Sequence, residues 1–302
     1  MPLPSATFLH LLVDPGEDGS VFFTRWQPNS AIYRLRKTAR NLPVSIGAPA
    51  DGGWAGGLAK NADAVFYSNY RNDDSNPVRG VHRIPRNGDP STQLVSDDAA
   101  QTYLGTVLLA TEQDDLYFST QYGSIALART ASTGGKVTPL WDLENPAPNG
   151  EGGYGLAVED GWAYVGSGVA GVLRFSREGE KEILFDELEA GVGITFVHDV
   201  EGGLVYWESS DEILRRGNVD GSGEVELLAA NVGRQATVHD GWLYLITADQ
   251  KAIDRVPVDD PEAEAERLVF APELGQIANI AFDEVSLYWM GIFRGEVFRL
   301  AL

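Results

Sequence analysis

Three groups of residues in this chain have the type and spacing to do chemistry. Gly166, Gly168 and Gly171, in "WAYVGSGVAGVLRF", stand as G-x-G-x-x-G after an apolar run. This is the dinucleotide-binding fingerprint, and it works only when a helix follows, because the pyrophosphate sits on the helix N-terminus. Here "VLRF" follows, which has strand character, so a Gly-rich hairpin is expected in place of a cofactor loop. His198 ("FVHDV") and His239 ("TVHDG") are the pair, among four histidines with His10 and His82, placed to converge. Convergence on a turn face would make a metal ligand set or an acid–base pair; the ordinary alternative is two satisfied turn histidines. The third group, "NVDGSGE" (Asn218 to Glu224), has the letters of a calcium loop without its twelve-residue spacing. Asp-Gly there reads as a hairpin.

Other chemistries are absent. There is no G-x-S-x-G frame for a serine nucleophile. With no cysteine, disulfides and thiolate sites are excluded. No cofactor is expected, although Asp and Glu are plentiful enough to leave a Ca²⁺ or Mg²⁺ at a channel mouth open. The net charge of −21 opposes phosphate backbones and anionic membranes, so no nucleic-acid partner is expected. No apolar run approaches the roughly 18 residues of a membrane span. The opening "MPLPSATFLHLLVDPGEDG" lacks the basic region of a signal peptide.

The elements that would position a site come from a repeat. An apolar–aromatic unit recurs around Phe22, Phe66, Tyr117, Tyr164, Tyr206, Tyr244 and Tyr288, at spacings of 44, 51, 47, 42, 38 and 44. Each is followed by an apolar-x-Arg triplet ending at Arg34, Arg83, Arg129, Arg174, Arg215, Arg255 or Arg299, which places seven of the 18 arginines in one slot. A short apolar run precedes each anchor and another follows each triplet. Four short strands every 40–50 residues are the signature of propeller blades. The expected fold is an all-β propeller of four-stranded antiparallel blades, seven in number, with six as the alternative. One domain over 1–302 is expected, with blades near 7–50, 51–98, 103–143, 152–187, 192–230, 234–271 and 276–302. The last blade has chain for strands B and C, so its strand D must come from the N-terminus or be missing. "DPEAEAERLVF" reads as loop plus strand.

"GGLVYWESSDEILRRGNVDGSGEVELLA", Gly202 to Ala229, resembles a repeat of the YWTD type, the propeller of low-density-lipoprotein receptors and of many bacterial secreted proteins. Tyr206 and Trp207 match the Tyr-Trp, Glu208 and Ser209 depart from Thr-Asp, and Ile213, Arg215 and Asp220–Gly221 match later positions. The resemblance implies a binding protein, secreted or periplasmic, and carries over no catalytic residue.

Propellers commonly bind on the face made by B–C and D–A loops, an analogy at the level of the fold. In this register that face receives Arg25, Trp26, Tyr70, Arg71, Tyr122, Glu208, Phe293 and Arg294 from B–C hairpins, and Trp54, Tyr103, Tyr154 and Arg234 from D–A loops. Aromatics with arginine are what recognition faces use, though aromatics at loop ends also cap cores. The function expected is a monomeric, non-enzymatic binding propeller for a protein, peptide or glycan. The alternative is a metal-dependent hydrolase or lyase with carboxylates and histidine at the channel mouth.

Overall fold

The consecutive apolar residues of "VFF", "VFY" and "LYF" cannot all be buried by a sheet with one wet face. They are buried here because each sheet is pressed between two others. The computed structural model describes residues 10–302 apart from 17–18, 25–30, 39–42, 48–53, 71–79, 88, 97–107, 120–124, 143–152, 169, 187–194, 231, 261–262 and 292–295; the side chains of Trp54, Tyr70, Tyr154, Ala230, Arg234 and Leu274 also fall outside the description. The described residues form seven repeats of antiparallel strands over 11–47, 54–96, 108–142, 153–185, 196–230, 232–270 and 277–301, here called blades 1 to 7. Strands run A-B-C-D in sequence order in the first six, and blade 7 shows three strands. No α-helix occurs among the described residues. The expected all-β propeller is the fold adopted, and the blade count is seven.

The core lies between blades rather than inside them. Seven apolar clusters are found among the described residues, each joining two neighbouring blades. The one that closes the ring packs Leu11, Val13, Val21 and Phe23 of blade 1 on Tyr288 and Met290 of blade 7. The aromatic anchors of strand B sit in these junctions, at most 3% exposed. In the YWTD-like repeat, Trp207 is fully buried and stacks on Phe185 of blade 4 at 4.5 Å.

In two blades the repeated arginine stitches one blade to the next. In every blade the strand B anchor pairs across the ladder with an arginine of strand C, as Phe22 does with Arg34 and Tyr164 with Arg174. In blade 5 the partner of Tyr206 is Arg216, one residue beyond the Arg215 expected from the triplet spacing. Arg174 donates to the Val219 carbonyl of blade 5 at 2.6 Å, and Arg216 donates to the Val258 carbonyl of blade 6. Both also hold a glutamate of their own strand D, Glu182 and Glu226. Arg215 turns instead to Asp211 in its own hairpin, at 2.5 and 3.0 Å. The two arginines are adjacent, so they point to opposite faces of the strand, and only one can meet the next blade.

A second set of stitches runs along the innermost strands. Glu112 accepts from the Gly161 amide, Asp199 from Thr237 Oγ1 and the Val238 amide, and Glu284 from the Gly16 amide. Gln235 exchanges two hydrogen bonds with the backbone of Ile280. Each joins one blade to the next, and the Glu284 bond does so across the closure.

Candidate binding face at the channel mouth

Strand A is the inner edge of each blade, and its first residues reach the channel mouth at the B–C and D–A end. In five blades the A–B ladder slips here, adding residues to strand A. Such bulges bend a strand and re-aim its side chains. At one of them Gly155, at φ +71, lets blades 4 and 5 touch through a parallel pairing with Val197. A Cβ at Gly155 would lie 1.9 Å from the Val197 carbonyl oxygen. This contact joins blades 4 and 5 into one eight-stranded sheet.

Five of the residues expected on the binding face fall on described backbone. Trp54 opens strand A of blade 2 (Trp54–Lys60), Tyr70 closes strand B (Ala64–Tyr70), and the two are direct cross-strand partners. Tyr154 is the second residue of strand A in blade 4 (Gly153–Glu159), and Arg234 the third in blade 6 (Val232–His239). Trp54, Tyr154 and Arg234 are therefore strand residues and not loop residues as expected. The inner strands begin earlier than the hydrophobic pattern shows, because small residues such as Gly56 and Gly155 occupy their bulges. Arg25, Trp26, Arg71, Tyr103, Tyr122, Phe293 and Arg294 lie outside the described residues.

Glu208 is the expected face residue whose side chain is described. It ends strand B of blade 5 (Leu204–Glu208), and its Oε2 lies 3.1 Å from His198 Nε2. His198 is the extra residue of a bulge, between the Val197–Trp207 and Asp199–Tyr206 pairs. Both side chains are mostly buried, 7% exposed for His198 and 15% for Glu208. Asp199, next in sequence, is pushed up in pKa by burial, against the opposing pull of its bonds to Val238 and Thr237. A buried His–Glu pair can hold a proton or orient a polar ligand.

His198 and His239 do not converge. His239 sits beside the A–B turn of blade 6, stacked on Phe282 of blade 7 at 4.6 Å. His198 faces the opposite end of its sheet toward Glu208. Their strand positions separate them: His239 ends its strand at the A–B turn, whereas His198 lies three residues before the end of its own. Among the described residues no group of three His, Asp or Glu is arranged to hold a metal ion. His82, in strand C of blade 2, stacks on Tyr67 at 4.9 Å. The G-x-G-x-x-G segment is a β-hairpin, Trp162–Ser167 paired with Gly171–Ser176, and no helix follows it.

No protein-family model matches the sequence, and no curated protein matches it. Similar solved structures show the same fold at low identity. A chain from the crystal structure of a nidogen/laminin complex aligns with a TM-score of 0.58 at 15% identity, covering 85% of this chain and 95% of that one. YCF48 bound to a D1 peptide aligns with a TM-score of 0.68 at 12% identity, covering 100% and 96%. A structural-genomics protein of unknown function from Bacteroides thetaiotaomicron aligns at 0.58 and 14%, covering 99% and 71%.

Proposed function

We propose that this protein is a non-enzymatic binding propeller that recognises a protein, peptide or glycan through the channel-mouth face. The observation that carries the reading is the backbone register of Trp54 with Tyr70, which makes two aromatic residues direct cross-strand partners in blade 2. Aromatic side chains supply large contact area at small entropic cost, which favours recognition. Two structures of the same fold were captured with partners, one in a nidogen/laminin complex and one bound to a D1 peptide. The likeness of Gly202 to Ala229 to a YWTD repeat supports a secreted or periplasmic setting, with the chain acting as a monomer.

The test is a peptide-display library and a glycan array probed with the wild type and with a Trp26→Ala/Tyr70→Ala double variant. Ligands selected by the wild type should lose about 100-fold or more in affinity, roughly 2.7 kcal/mol, on the variant. Its melting temperature should stay within about 2 °C of wild type. Unchanged affinity would put the site elsewhere.

A second reading, a hydrolase or lyase using His198 and Glu208 with a divalent ion, is favoured by their buried contact. It requires that Ca²⁺ or Mg²⁺ raise the melting temperature of the wild type and not that of Glu208→Gln.

A further inference from the structure

A groove of about 470 Å³ opens between the outer strand of blade 5 (Glu226–Ala230) and the flank of blade 6. Its floor is aliphatic, formed by Leu228, Leu245, Ala252 and Val256. Phe270, 61% exposed, and Arg267 form one lip. Asp254 holds Arg267 through bonds of 2.8 and 3.0 Å, and the guanidinium carbon lies 5.8 Å from the centre of the Phe270 ring.

The occupant follows from three properties. The polar groups on the walls are already paired with one another, Asp254 with Arg267 and Thr247 with Asp249. A small polar metabolite would find little to orient it. The strand Glu226–Ala230 ends its sheet, so among the described residues its outer backbone groups face no neighbouring strand. Such an edge is a template for an added strand, with floor pockets reading alternate side chains. The surrounding charge is negative. Asp249 stands at one end of the groove, and the segment leading to its other end, "DDPEAEAE" from Asp259 to Glu266, has five acids and no cation, with Glu266 alone of these held in an ion pair, by Arg255, among the described residues. The whole chain carries −21, which attracts cationic partners.

We propose that this groove takes an extended segment of a partner protein, about as long as the strand it lies beside, in which apolar side chains alternate with lysine or arginine. The apolar side chains fill the floor and the cations meet the acidic rim. The groove reaches the channel-mouth end at Val232 and the Thr247–Asp249 turn of blade 6, but includes neither Trp54 nor Tyr70, so the two sites are tested separately.

The test uses the full chain and a fluorescent synthetic peptide, about seven residues long to match a typical strand, alternating lysine with leucine or valine. Binding is read by anisotropy at about 150 mM salt, where surface charge alone is screened beyond roughly 8 Å. Ala248→Trp and Ala265→Trp place bulk on two exposed groove positions at opposite ends. Each should weaken binding about tenfold or more while melting like wild type. A lysine–serine peptide of equal charge should also bind about tenfold more weakly. The Trp26→Ala/Tyr70→Ala variant should bind the peptide as wild type does. Slowed hydrogen exchange at Leu227 to Ala229 on adding the peptide would support strand addition. No binding to wild type, equal binding by both groove variants, or equal binding of the lysine–serine peptide would overturn the proposal.

Discussion

Lys37 and Asp283, 246 residues apart in the chain, form a buried ion pair that bridges the first and last blades. Their side chains are 1% and 2% exposed, and Lys37 also donates to the carbonyls of Asp14 and Gly16. Asp14 in turn takes Lys60 and Arg86 of blade 2, so one network ties blades 7, 1 and 2. Among the described residues no shared sheet closes the ring. Side chains do it, through this network, the Glu284 bond and the apolar junction.

Removing one partner of the pair strands the other in the interior. Lys37→Met should therefore cost about 3–5 kcal/mol in urea unfolding. Lys37→Met with Asp283→Asn should cost less than the sum of the single changes, since neither leaves the other's charge alone. Burial would raise the Asp283 carboxyl, but Lys37, the Val285 amide and the Tyr288 hydroxyl outweigh it and hold it below the ordinary range. Its contribution is thus present above the unfolded value near 3.9 and is lost as pH falls through the lower folded value. A single variant costing under about 0.5 kcal/mol, the range of ordinary surface changes, would show that the apolar junction alone closes the ring.

The arginine slot gives a sharper comparison. Arg216→Ala removes a bond to blade 6 and a salt bridge to Glu226, and should cost about 1–2 kcal/mol. Arg215→Ala removes contacts within its own hairpin, to Asp211 and the Ile213 carbonyl, and should cost less, about 0.5–1 kcal/mol. The reverse order in melting temperature would contradict the register described for blade 5.

Gly155→Ala attacks the contact between the inner strands of blades 4 and 5. The new Cβ would meet the Val197 carbonyl in a left-handed backbone conformation. A loss of about 2 kcal/mol or more is expected, combining strain and displaced backbone. Amide exchange at Val197 should accelerate, and exchange in blade 1 should not.

His10 supplies a pH signature in a milder range. Burial lowers its pKa to about 4, and its Nε2 has no hydrogen-bond partner among the described residues. The unfolded chain binds a proton near pH 6.5 that the folded chain refuses, so stability falls as pH drops from about 6.5 to 4. Between pH 7 and pH 5 this amounts to about 2 kcal/mol. His10→Leu should remove that part of the slope in paired urea titrations. Equal slopes for the two proteins would show that His10 titrates normally.

Much of the fold was legible because burial imposes a rhythm on residue types. Each strand B must be apolar on both faces and each junction needs an aromatic, so Phe22 through Tyr288 recur at blade intervals. Their arginine partners recur because each stands directly across the ladder from the aromatic anchor, where Arg34 and Arg129 find a hydroxyl or acid of their own blade and Arg174 and Arg216 a carbonyl of the next. The spacing misled only where two arginines adjoin, since Arg215 and Arg216 are chemically alike and face opposite ways. The candidate face was less legible. Trp54, Tyr154 and Arg234 looked like loop residues because bulges and small residues break the strand pattern just where the inner strands reach the channel mouth.

The amino-acid sequence by itself determined the repeat and the strand content, since these follow from local apolar patterning, and pointed to seven blades with six left open. It also determined that the fingerprint glycines form a hairpin, because a strand and not a helix follows them. Tertiary structure alone decided how the ring closes, through Lys37 and Asp283. It alone paired His198 with Glu208 rather than with His239, and opened a groove beside Glu226–Ala230. These depend on which surfaces meet after the chain has travelled around the ring, and no local pattern encodes a partner so far away.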